Sequence, residues 1–170
     1  MKEFRNNGAV GALLDEYQKA IIELQEIISS LSSDELKTTV DVDTKDPDCK
    51  SIQSILTHVI RSGYNYTIAI RIFLGEDIGY AVSNELASSA EYKSELNNMF
   101  AFTEKLFVDH PDLTIEEFEN SKKILVRWGQ SYDVEQLLEH AIVHMLRHRR
   151  QIEKFINKLS NQSTAPGIHS

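Results

Sequence analysis

Apolar residues recur at alternating intervals of three and four in four stretches of the chain, with polar links between them. In the first, Leu14, Tyr17, Ile21, Leu24, Ile28 and Leu31 share one face of a helix expected over 10–31, while Asp15, Glu16, Lys19, Glu23 and Glu26 fall elsewhere. The second places Ile52, Ile55, Val59, Tyr66, Ile70 and Phe73 on one face of a helix over 51–74, which Gly75 ends. The third, over 89–109, is lined by Tyr92, Leu96, Met99, Thr103 and Leu106. Ser88 and Glu91 fit a capping box at its start, and Pro111 stops it, because the residue before a proline avoids the helical region. The fourth, over 133–159, holds neither Gly nor Pro, and Asp133 with Gln136 fits a second capping box. Between the last two, Thr114-Ile-Glu-Glu predicts one or two helical turns and Lys123 to Gly129 a short extended segment. Trp128 in that segment could cover the mouth of a pocket, although a Trp is more often plain core.

Four amphipathic helices with little strand signal predict an all-α fold, a four-helix bundle. The links 75–88 and 110–132 are long enough for crossover connections. At 170 residues the chain suits one domain, expected over 1–160, with a polar tail over 161–170. Its net charge of −8 argues against binding nucleic acid, which needs a basic surface to displace counterions. The basic cluster Arg147, Arg149 and Arg150 reads as a solvated flank. No apolar run approaches the roughly 20 residues that span a bilayer, and MKEFRNNGAV lacks the core of a signal peptide. One cysteine, Cys49, forms no internal disulfide framework. Together these predict a cytoplasmic protein with no membrane partner.

The chemistry concentrates in the fourth stripe, which runs Val134, Leu137, Ala141, His144, His148, Ile152, Phe155, Leu159. Two consecutive positions of a buried face are His, one turn apart, so their rings point the same way. An isolated His on such a face is usually a hydrogen-bonded core residue. Two in succession are harder to accommodate, since a buried imidazole without a partner costs about 1–3 kcal/mol. The spacing is that of helical zinc sites, in which two imidazoles grip one ion. The helix alone leaves both readings open. His58 lies on the edge of the second stripe, beside the small residues Ser62 and Ala69. Asp41, Asp43, Asp46 and Asp48 invite a calcium reading, but an EF-hand loop counted from Asp41 would put Asp46 at its glycine position and Ile52 at its terminal Glu, so a solvated acidic loop fits better.

Two stretches, SIQSILTHVIRSGYNY and LLEHAIVHMLRHRRQI, resemble the DinB-like superfamily of four-helix proteins, which includes the YfiT-like proteins. The resemblance implies a divalent metal held by one His of the second helix and two of the last, here His58, His144 and His148. The chain has His148-Arg149-Arg150-Gln151 where relatives commonly have H-R-G-Q; the ligands stay intact, and the change bears on local packing and subgroup. His140 is an extra His on the same helix, which makes His140 with His144 the rival pair. Zn²⁺ or Ni²⁺ suits such imidazole ligands. Three of them leave a coordination position open, as in catalytic zinc, whereas a structural site usually closes with four protein ligands. The resemblance further implies an enzyme that adds or transfers a low-molecular-weight thiol onto a small-molecule substrate. The alternatives are a metal-dependent hydrolase and a non-enzymatic stress-response or binding protein with a vestigial site. Cys49, in an acidic loop, is a poor nucleophile, because negative neighbours raise a thiol pKa. Relatives often pair, and Ile142 and Leu146, one turn apart and away from the main stripe, could contribute to a homodimer surface.

Overall fold

Each apolar stripe becomes a helix because only burial of that face against neighbours offsets the entropy of ordering it. The computed structural model describes residues 4–82 and 84–164. Its long helices are α1 (Gly8–Ile28), α3 (Ile52–Phe73), α4 (Ser89–Asp109) and α5 (Val134–Thr164), with a short α2 (Ser33–Lys37) in the first link. The starts are set by side chains that satisfy the free N–H groups of the first turn. Ser51 and Ser54 form a reciprocal box at α3, as Ser88 and Glu91 do at α4 and Ser32 and Glu35 at α2. At α5 the Asp133 carboxylate accepts from Gln136 N at 2.8 Å, and Gln136 Oε1 accepts from Asp133 N at 3.1 Å.

Side-chain pairs give the direction of each helix. Thr57 meets Tyr92 and Thr67 meets Thr103, so α3 and α4 run parallel. Tyr17 packs on Phe100 while Gln25 bonds Asn97, so α1 runs antiparallel to α4. His58 meets His148 and Tyr66 meets His140, which sets α5 antiparallel to α3. Neighbours around the bundle are α1, α4, α3 and α5, in that cyclic order. Two parallel neighbours need a connection as long as a helix. The link after α3 supplies it, returning along α3 with Ala81 bonded to Asn65 and Leu86 to Gln53. The link from α4 to α5 crosses a diagonal of the bundle, as does the link from α1 to α3. The bundle with long crossover connections is therefore as expected, with one crossing more.

The core is continuous: Leu24, Ile28, Leu36, Ile55, Ile70, Tyr92, Leu96, Leu106, Leu137 and Ile152 are fully enclosed. Each such side chain contributes about 1.5–3 kcal/mol relative to exposure. Arg71 is also buried, its charge met by Glu76 at 2.9 Å and Asp109 at 2.9 Å, which ties the ends of α3 and α4 to the link between them.

Three local expectations change. Thr114 to Glu117 is not helical: Ile115 O accepts from Glu135 N at 3.0 Å, lashing the segment to the start of α5 instead. The extended segment is one arm of a small hairpin, β1 (Ile124–Leu125) against β2 (Ser131–Tyr132), with Gly129 at φ 84° in the turn. Finally, α5 continues past 159 to Thr164, through the first residues of the expected tail; the rest of that tail lies outside the described residues. Among the described residues no helix is long and apolar enough to cross a membrane.

Candidate metal centre

The antiparallel contact of α3 with α5 brings three imidazoles together. His58, near the start of α3, faces His144 and His148 in the middle of α5. One nitrogen from each ring lies within 4.8 Å of the others. His58 Nε2 and His144 Nε2 are 3.0 Å apart, and the ring centres of His144 and His148 are 4.4 Å apart. His58 is half-buried, as is His144, whereas His148 is only 1% exposed. Among the described residues the three form the single group of three or more His, Cys or carboxylate side chains close enough to hold one metal ion.

The electrostatics suit ligation. Burial pushes the His144 pKa down to about 3, helped by His148 and His58 beside it. Burial also lowers His148 to about 4, with His58 adding to the effect. Both rings are therefore neutral at ordinary pH, the form that donates a lone pair to a metal. His148 Nε2 is buried with no hydrogen-bond partner among the described residues. An orphaned acceptor or donor costs about 1–3 kcal/mol, and a cation between the rings would relieve it. The donor set thus fits a divalent ion of the imidazole-binding kind.

Two rings have their second nitrogen fixed. Asp48 Oδ2 sits 3.0 Å from His58 Nδ1 and also accepts from Arg61 at 2.5 Å. Gln151 Oε1 lies 3.1 Å from His148 Nδ1. When Nδ1–H donates to such an oxygen, Nε2 keeps its lone pair and its aim. His144 is braced by Tyr66, whose ring meets it edge-on at 5.7 Å. The tight turn before α3 explains Asp48: Asp46 caps the 3₁₀ turn Pro47–Cys49, and that turn lays the next carboxylate over His58.

His140, the rival ligand, stays outside the group. It stacks on Trp128 at 5.6 Å, lies 3.5 Å from the Tyr132 hydroxyl, and its ring centre is 6.4 Å from that of His144. Sequence reasoning left Asp48 in a solvated loop and assigned Gln151 no role. The signals were present, an acidic loop directly before the His-bearing helix and a Gln one turn from His148, but neither names its target. Two of the acidic loop's other carboxylates shape turns: Asp41 accepts from Thr44 N and Asp46 from Asp48 N. Cys49 has a raised thiol pKa, chiefly from burial, with Asp46 adding to it.

A cavity of about 600 Å³ borders His58 and is walled by Ser62, Tyr66, Ala69, Val126, Trp128 and His140, among others. The small neighbours of His58 thus leave room for it, and Trp128 of the hairpin forms part of its wall. Comparison with known proteins adds two findings. The model of the DinB family matches residues 2–163. No curated protein sequence matches the chain.

Proposed function

The chain belongs to the DinB family, and from that premise and the three-His group we propose a metal-dependent enzyme with His58, His144 and His148 as its ligands. The observation that carries the reading is the orphaned, buried His148 Nε2 facing two further imidazoles beside an open cavity. A divalent ion bound there, zinc or nickel by the softness of the donors, supplies a Lewis acid with an open position, able to hold a thiol as thiolate or to acidify water. The chain's own part is to keep the rings neutral by burial and to aim them through Asp48 and Gln151. The cavity orients the second reactant and limits water around it.

Addition or transfer of a low-molecular-weight thiol to a small electrophile is the reaction we favour, with hydrolysis as the second reading. The apolar walls of Tyr66, Ala69 and Val126 favour the former, since an organic reactant gains from them and water does not. Metal analysis of protein purified without tag or chelator tests the site. A thiol-consumption screen with model electrophiles, run beside an ester-hydrolysis screen, separates the reactions. Full metal loading with neither turnover would favour a binding protein. A homodimer belongs to the same proposal: Val143 and Leu146 on α5 are exposed, while Ile142 packs on the core, so the candidate contact runs through the former pair. Light scattering that finds a monomer at micromolar concentration would remove it.

A further inference from the structure

The cavity beside the triad has an uneven chemistry that says what should fill it. Its floor is apolar and buried, from Tyr66, Ala69 and Val126. One side is Trp128, which is 49% exposed although it stacks on His140 and meets the edge of Tyr66 at 5.9 Å. A large indole face left half in water beside a formed cavity is surface that a flat ligand can cover. Arg127, from the same hairpin turn, is the one Lys, Arg, Asp or Glu side chain on the cavity wall. Its guanidinium rests over the Tyr80 ring at 4.8 Å. Among the described residues it forms no ion pair with a carboxylate, unlike Arg5, Arg61, Arg71 and Arg149. Stacking holds its plane and leaves its N–H groups free for a planar anion.

We propose that this cavity binds a small aromatic monoanion, its one- or two-ring body against Trp128 and Tyr66 and its carboxylate on Arg127, as the substrate class of the adjacent centre. That the occupant is the substrate rests on the metal-dependent reading of the triad; that it binds does not. A single cation without a balancing acid favours one negative charge over none and over two. The hairpin that carries Arg127 and Trp128 is thus the specificity element, and His58 borders the same space, so a reactive group on the ring system can reach the triad.

The chain's one tryptophan makes the test direct. In a ¹H–¹⁵N spectrum the Trp128 indole N–H is a single resonance inside the cavity wall. Metal-free protein is titrated with 2-naphthoate and, separately, with its neutral counterpart 2-naphthamide, and both titrations are repeated after zinc loading and in Arg127→Met. The indole resonance should move with both probes, with naphthoate binding about tenfold or more tightly, with or without zinc. Arg127→Met, at an exposed position that should not disturb folding, should erase that preference by weakening naphthoate alone. An indole resonance unmoved by either probe overturns the site. A preference that survives Arg127→Met, or that arises only with zinc, overturns the assignment of the anion to Arg127. Naphthoate selectivity in a protein that fails to bind zinc would support this cavity and sink the metal-dependent reading, so the two stand or fall separately.

Discussion

Asp48→Ala tests whether the centre depends on a residue that is not itself a ligand. The Asp48 carboxylate does two things: it accepts from His58 Nδ1 at 3.0 Å and pairs with Arg61 at 2.5 Å. Its removal frees the His58 ring to rotate, lets either tautomer form, and leaves the Arg61 cation near the candidate metal site. Loss of such a partner lowers metal affinity by roughly 10–100-fold, or about 1.4–2.7 kcal/mol. Asp48 keeps 32% of its side chain exposed, so water replaces part of the lost interaction and the lower end, roughly 10–30-fold, is expected. Asp48→Asn retains an acceptor without the charge and should lose only about threefold. Competition against a chromophoric zinc chelator at neutral pH measures each value, with His58→Ala as the reference for full loss of a ligand. The fold should survive, because the 3₁₀ turn is held by Asp46 and not by Asp48. If Asp48→Ala binds zinc within about twofold of the unsubstituted protein while His58→Ala does not, the ring is aimed by helix packing alone and the carboxylate has no part in it.

Metal binding should separate the two neighbours on α5: His148→Ala should abolish tight binding, whereas His140→Ala, whose ring contacts Trp128 and lies apart from the group, should change it by no more than about threefold, as read by the same competition. The metal-free protein should lose stability as pH falls from about 6.5 towards 4. The unfolded histidines take up protons below about 6.5, while His144 and His148 resist until about 3 and about 4, so their contribution is complete above the unfolded pKa and fades below it. Urea unfolding at a series of pH values should show a loss of about 1–3 kcal/mol over that window, discounted for the partial exposure of His144, and a His144→Gln/His148→Gln variant should flatten it. Gly63→Ala should destabilise the fold by about 1–3 kcal/mol in the same assay, because the added Cβ would fall 2.0 Å from Met99 Sδ and 3.0 Å from the Tyr17 hydroxyl; unchanged stability would mean that Met99 moves aside freely.

Much of this molecule is determined locally, and so is legible in one dimension. The helices follow from stripes such as Leu14, Tyr17, Ile21, Leu24 and Ile28, and their starts from Ser51, Ser88 and Asp133, because a helical period and a cap each involve residues only a few positions apart. The pair His144 and His148 was visible for the same reason, lying one turn apart on one helix. That His58 joins them depends on α3 lying beside α5 and running the opposite way, a consequence of packing four helices and three links that no local pattern encodes. The same holds for Asp48, which a 3₁₀ turn lays over His58, and for His140, which the hairpin's Trp128 draws away from its neighbours. Thr114 to Glu117 shows the reverse, a capping signal that local rules read as helix but that the start of α5 claims through Ile115 O. Short-range hydrogen bonding and periodicity determine elements and the pair on α5; the meeting of residues distant in sequence is decided only by the burial of all the apolar faces at once, and such meetings complete the candidate centre with His58 and Asp48.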